Sequence, residues 1–196
     1  SLIELEQYEL KKLDLDTLHL VYQDHLTPDF PPAERKPLAA MEKLLSAGRY
    51  EPWGLYQGEE LMAYAMMWKD PEGGFELLDY LGVCQGKLRG EGIGTVMVAY
   101  LMDHYSHVEG ILVETEAEED GLPEAENELR RRRMSFYRRV GFKDLSYVVD
   151  IYGVRYAMFL YGDKGEEEAM EAHQRLYHYE LTPWLYDKFI HIPAQT

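Results

Sequence analysis

The sequence predicts an α/β domain built on a sheet, followed by a helical extension. Two observations carry this. Apolar residues at helical spacing alternate along the chain with short strand-like runs punctuated by turn residues, and the stretch from residue 162 onward opens with a helical pattern of its own. A chain of 196 residues is short for two typical domains and long enough to bury a core without a disulfide or metal staple.

In chain order, Leu13, Leu18, Val21, Tyr22 and Leu26 predict a first helix that Pro28, Pro31 and Pro32 end. Leu38, Met41, Leu44 and Leu45 predict a second, closed by Gly48. Trp53 to Tyr56 and Leu61 to Trp68 read as strands around the turn at Gln57-Gly58. Both alternating faces of the second run are apolar, which predicts a strand covered on both sides. Asp70-Pro71-Glu72-Gly73-Gly74 is a turn, and Phe75 to Val83 is the next strand. A glycine-rich loop, Gln85 to Gly94, then runs into a helix with Ile93, Met97, Tyr100, Leu101 and His104 on one face. Ile111 to Glu114 is a short buried strand. A helix starts near Pro123, a favourable first-turn residue, and Gly141 closes it. Tyr147 to Tyr152 and Arg155 to Tyr161 pair around Gly153. The tail carries a helix from Glu166 to Leu181, stopped by Pro183.

Composition narrows the function. Acids outnumber bases 36 to 20, for a formal charge of −16. Nucleic acid and anionic membranes are poor partners for such a surface, and a cationic ligand is attracted, although acidity can also serve solubility alone. The longest stretch without a charged residue is the eleven residues from Gly92 to Met102. A membrane span needs about 18, so none is expected. No basic segment followed by an apolar run opens the chain, which argues against a signal peptide. Cys84 is the one cysteine, which excludes a disulfide framework and fits the reducing cytoplasm. His104 and His107 lack a nearby third ligand, so no metal is expected.

The segment with chemical content is Arg89-Gly90-Glu91-Gly92-Ile93-Gly94-Thr95, which follows a strand and opens a helix. Glycines there admit a ligand close to the backbone, and the helix start offers N–H groups with positive partial charge, a place for a phosphate. A tight turn that needs glycine dihedrals would look the same. No Gly-Lys-Ser or Gly-Lys-Thr is present for a P-loop, and Thr95 stands where a dinucleotide loop needs its third glycine. The spacing is R-x-x-G-x-G, which resembles the acyl-CoA-binding motif of the GNAT superfamily of N-acyltransferases. Downstream, Phe136-Tyr137-Arg138-Arg139-Val140-Gly141-Phe142 is similar to that superfamily's F-Y-x-x-x-G-F segment.

The resemblance implies a mixed, mostly antiparallel central sheet flanked by helices over residues 1–161, with 162–196 as an extension. It implies acetyl-CoA as co-substrate. The backbone of Leu81, Gly82 and Val83 would pair with the pantetheine arm. The amides of Arg89, Gly90, Gly92, Ile93, Gly94 and Thr95 would cradle the pyrophosphate. Tyr137 would protonate the departing thiolate.

An amine nucleophile must lose a proton, and alkylammonium pKa values are about 10. Glu76, Asp79 and Glu114 are candidate bases, with Glu114 favoured because it ends the strand beside the expected cofactor site; each could equally be a solvated strand-end acid. No serine or cysteine with a base partner is evident, so direct attack by the amine is the simpler chemistry. The expected acceptor is a small-molecule primary amine, cationic at neutral pH. A protein N-terminus or lysine, and a non-catalytic CoA-binding module, are the alternatives. The arginine run after residue 129 can pair with the eight acids of residues 114–128 or touch cofactor phosphates. Tyr177, Tyr179, Trp184 and Tyr186 can cover the substrate cleft, face a second copy in a homodimer, or pack on the sheet.

Overall fold

The computed structural model describes residues 7–84, 86–87 and 92–196. The chain groups into two compact units. The first holds the described residues up to Trp68 and those from Leu78 to His107; the second holds Lys69–Leu77 and Val108–Thr196.

In the first unit, strand β1 (Tyr8–Lys12) leads into helix α1 (Leu15–Val21). Asp14 caps α1 by accepting the Thr17 N–H at 2.8 Å, which holds its carboxyl below the usual range. The helix widens into a π-helical turn, Tyr22–Leu26, and ends in one more turn, Thr27–Asp29. Pro28 sits inside that last turn, directly after the π-helical turn, and the chain leaves the helix only at Phe30. Helix α2 (Leu38–Ser46) follows, then strands β2 (Tyr50–Gln57), β3 (Glu60–Lys69) and β4 (Phe75–Val83), and helix α3 (Ile93–His104). The strands lie in the order β1-β2-β3-β4. Seven consecutive residues of β3, Met62 to Trp68, are buried, as the apolar character of both its faces predicts. Leu18, Val21, Leu26, Met41, Leu44, Met97 and Leu101 supply the helical side of the core.

In the second unit, the order is β5 (Gly110–Thr115), β7 (Val154–Tyr161), β6 (Lys143–Ile151) and β8 (Ile190–His191), with antiparallel neighbours throughout. Helix α4 (Glu124–Arg139) precedes β6, and α5 (Glu166–Glu180) and α6 (Pro183–Phe189) follow β7. With helices interleaved among mostly antiparallel strands, the fold is the mixed α/β type expected.

Pro183 does more than stop a helix. It occupies the first turn of α6, behind Thr182 at the N-cap, where its fixed φ is already helical. The extension also ends in a strand, since Ile190 and His191 pair with Ile151 and Asp150. Strands β1 and β8 escape the sequence pattern. Tyr8–Lys12 carries lysines and a glutamate on an outermost strand, and β8 is two residues long. On α3, Val98 is buried where the pattern places Tyr100 and His104 on the apolar face.

The turn between β3 and β4 buries Asp70 completely. Arg175 of α5 answers with two parallel bonds, Nε to Oδ1 at 3.1 Å and Nη2 to Oδ2 at 2.8 Å, and the Glu72 N–H adds a third donor at 3.1 Å. Arg175→Met would leave a buried carboxylate without its counter-ion. The expected loss is about 3 kcal/mol, the low end for a broken buried pair because the Arg175 side chain is itself 30% exposed. Urea unfolding followed by circular dichroism measures it; a loss under about 1 kcal/mol would class the pair with surface ion pairs.

Candidate functional site

In the first unit, the end of β4 and the start of α3 carry the predicted ligand-binding residues. Leu81, Gly82 and Val83 are half-buried at the end of β4, and the Cys84 N–H then bonds the Met62 carbonyl at 2.9 Å. Gly82 is needed for room: a Cβ there would collide with the phenol end of Tyr64. That phenol donates to Asp29 Oδ2 at 2.7 Å, and the His25 ring from the π-helical turn stacks on it at 6.5 Å.

Gly92 is needed for conformation instead. It stands before α3 with φ +83°, in the left-handed region, and among the described residues a Cβ there would meet nothing within 4 Å. The first intrahelical bond of α3 runs from the Val96 N–H to the Gly92 carbonyl. The N–H groups of Ile93, Gly94 and Thr95 therefore have no partner within the helix and project from its positive end. These donors suit a phosphate group. Arg89 and Gly90 lie outside the described residues.

Tyr137, Glu114 and Glu76 belong to the second unit. Tyr137 is 6% exposed on α4, its ring 5.4 Å from Phe142 and 6.3 Å from Phe159. The turn after it is fixed by the Phe142 N–H bonding the Tyr137 carbonyl at 2.9 Å. Burial pushes the Tyr137 phenol up to about 12, with Arg133 pulling weakly the other way. At neutral pH the group is therefore a proton donor.

Glu114, on β5, receives two bonds on Oε2: from His173 Nε2 at 2.7 Å and from the Tyr177 hydroxyl at 2.8 Å. Neither partner was singled out by sequence as a companion of Glu114; they follow it by 59 and 63 residues. A signal was present. His173 falls in the apolar stripe of Ala169, Ala172, Leu176 and Tyr177, where a histidine must find a polar partner. Glu76 is only 2% exposed.

Asp79, in the first unit, is committed elsewhere. Its Oδ2 takes Lys36 Nζ at 2.6 Å and the Tyr50 hydroxyl at 2.7 Å, while that ammonium lies 3.8 Å from the Trp68 ring centre. Burial, then the charge of Asp79, raises the Tyr50 phenol well above its ordinary value.

Cys84 is 1% exposed, and burial followed by the charge of Asp29 pushes its thiol up to about 12, which leaves little thiolate for nucleophilic work. His104 lies edge-on to Trp53 at 4.6 Å. Among the described residues no group of three or more His, Cys, Asp and Glu is placed to hold a metal, and no helix is long and apolar enough to cross a membrane.

The arginines of α4 bond the acids before them. Arg130, 12% exposed, bonds the Ala117 carbonyl at 2.9 Å and pairs with Glu116 at 2.5 Å and Glu126 at 3.2 Å. Arg131 pairs with Glu118 and Glu124, and Arg132 with Glu128. In the tail, Tyr177 and Tyr186 are buried, while Tyr179 and Trp184 are exposed.

Residues 18–142 match the family model of the acetyltransferase (GNAT) family. No curated protein matches the chain significantly. Among solved structures, a GNAT-family protein from Bacteroides thetaiotaomicron superposes with a TM-score of 0.67 at 18% identity, covering 85% of this chain and 94% of that one. The spermidine N-acetyltransferase of Vibrio cholerae gives 0.59 at 11% identity over 79% of this chain and 93% of its own. The ribosomal-protein-S18-alanine N-acetyltransferase of Escherichia coli gives 0.53 at 17% identity, over 81% and 97%. At these identities the superpositions speak for the fold.

Substitution at Gly92 tests the phosphate-binding reading. Gly92→Val would strain the backbone at φ +83°, whereas asparagine tolerates that region. Gly92→Asn is expected to stay folded and to bind acetyl-CoA about tenfold or more weakly by calorimetry, which is about 1.4 kcal/mol. Unchanged affinity in the folded variant would put the phosphates elsewhere.

Proposed function

Because the chain belongs to the GNAT family of acetyltransferases, we propose that it transfers the acetyl group of acetyl-CoA directly to a primary amine of a small molecule. The observation that carries the reading is Tyr137. It is the tyrosine of the F-Y-x-x-x-G-F segment, and its ring is buried beside Phe142 and Phe159. The amides of Ile93, Gly94 and Thr95, with Gly92, would hold the pyrophosphate, and the backbone of Leu81 to Val83 the pantetheine arm. When bound, acetyl-CoA supplies an acyl carbon activated by a thiolate leaving group.

The rest is done by side chains and backbone. Glu114 takes one proton from the incoming ammonium, whose pKa is about 10. The freed nitrogen lone pair forms the C–N bond as the C–S bond breaks, and the electron pair leaves on sulfur. Tyr137 gives its proton to that sulfur. The new amide nitrogen sheds its second proton, which restores Tyr137 through solvent, and Glu114 releases the first to solvent. An N–H of β4 stabilises the negative charge that develops on the carbonyl oxygen. Glu114, 12% exposed and bonded, among the described residues, through Oε2 alone, suits the base role better than Glu76, which is 2% exposed, or Asp79, which is ion-paired with Lys36.

The charge of −16 supports a cationic small amine as acceptor. The single, buried cysteine supports a reducing, cytoplasmic compartment.

Acetyl-CoA is expected to raise the melting temperature, and NAD and ATP at the same concentration much less; equal shifts would contradict the reading. Thiol release across a panel of amines and peptides names the acceptor class, and preference for a peptide N-terminus would overturn the small-molecule assignment. Tyr137→Phe keeps the ring packing and removes only the donor. It should lower kcat about 100- to 10,000-fold with acetyl-CoA binding nearly intact, and a fall of less than about threefold would remove Tyr137 as the acid.

A further inference from the structure

We propose that α5, which lies beyond the residues matched by the family model, completes the base: His173 and Tyr177 are positioning residues that orient Glu114 so that its Oε1 receives the proton. The inference rests on the assignment of Glu114 as base.

Both donors converge on one oxygen. His173 Nε2 lies 2.7 Å and the Tyr177 hydroxyl 2.8 Å from Oε2. Among the described residues nothing donates to Oε1. A carboxylate anchored through one oxygen keeps the lone pairs of the other for a proton, in a direction set by the anchor.

The tautomer of His173 follows from its surroundings. The ring is fully buried, and its Nδ1 has no partner among the described residues. With the proton on Nε2, the ring donates to Glu114 and leaves Nδ1 a bare lone pair. With the proton on Nδ1, a lone pair would face the carboxylate at 2.7 Å and a donor would be buried unpaired. The first arrangement is the stable one, and it makes His173 a donor.

The anchor is rigid on both sides. His173 and Tyr177 are four residues apart on one face of α5, flanked by the buried Ala169, Ala172 and Leu176. Glu114 stands on β5, opposite Met158 of β7 in an antiparallel ladder. Its side chain is 12% exposed, so the carboxylate has little freedom beyond what these donors allow.

The test compares kcat, the amine KM and acetyl-CoA affinity for the wild-type chain, Glu114→Gln, His173→Phe, His173→Gln, Tyr177→Phe and the double variant Glu114→Gln/His173→Phe. His173→Phe removes the donor at similar volume. It is expected to lower kcat about 10- to 100-fold, as loss of positioning does, with the amine KM and cofactor affinity unchanged. His173→Gln, whose amide can donate again, should recover most of the rate. In the Glu114→Gln background, His173→Phe should cost nothing further, because positioning has no value once the base is gone. A purely structural role predicts losses that multiply in the double variant, with no rescue by glutamine, and either result overturns the inference.

Should His173→Phe fail to fold, Tyr177→Phe decides, since it loses only a hydroxyl. Wild-type kcat in folded Tyr177→Phe would then refute the proposal. A Glu114→Gln variant as active as the wild type would defeat the base assignment and this inference together. An inactive Glu114→Gln beside fully active His173→Phe and Tyr177→Phe would defeat this inference alone.

Discussion

A carboxylate taken out of water must be met by donors, and in the second unit a single helix meets two of them. Asp70 is fully buried in the turn before β4, and Glu114 on β5 is nearly so. Helix α5 answers with Arg175 for the first and with His173 and Tyr177 for the second. Gln174, between them, donates to the Ile192 carbonyl at 2.6 Å and ties the end of the chain to the same helix. Replacing the polar residues of α5 by apolar ones would leave both carboxylates stranded. The extension is thus bound to the second unit by electrostatic necessity as well as by its apolar stripe.

A different solution serves the acidic stretch before α4. There the acids are mostly exposed and the arginines of the helix reach back to them. Exposed pairs such as Arg132–Glu128 contribute at most about 1 kcal/mol each. Arg130 is the exception. It is 12% exposed and holds Glu116, Glu126 and the Ala117 carbonyl at once, so it pins the loop to the helix. Arg130, Arg131 and Arg132 are thus committed to neighbouring acids.

Much of the fold was legible in the sequence because its signals are local. The doubly apolar run of β3, the glycine at the start of α3 and the proline-led start of α4 each depend on a few neighbouring residues. What was not legible depends on distance. Strands β1 and β8 are defined by partners on β2 and β6, not by their own composition. Pro183 reads as a stop in sequence and starts a helix in the structure, because the first turn of a helix accommodates it. Of the candidate site, Gly92, Gly94 and Tyr137 could be named from motif spacing. The commitment of Asp79 to Lys36, and of Glu114 to His173 and Tyr177, could not, since each joins residues more than forty positions apart. The burial of Cys84, and with it the weakness of its thiol as a nucleophile, likewise appears only in three dimensions.

In the proposed mechanism the acetyl group passes in one step from acetyl-CoA to an amine, with no acyl-enzyme. Initial rates over a matrix of acetyl-CoA and amine concentrations, combined with intact-protein mass spectrometry after incubation with acetyl-CoA alone, test it most directly. Direct transfer predicts intersecting double-reciprocal lines and an unmodified chain. Parallel lines together with an acetylated enzyme, above all one acetylated at Cys84, would contradict it.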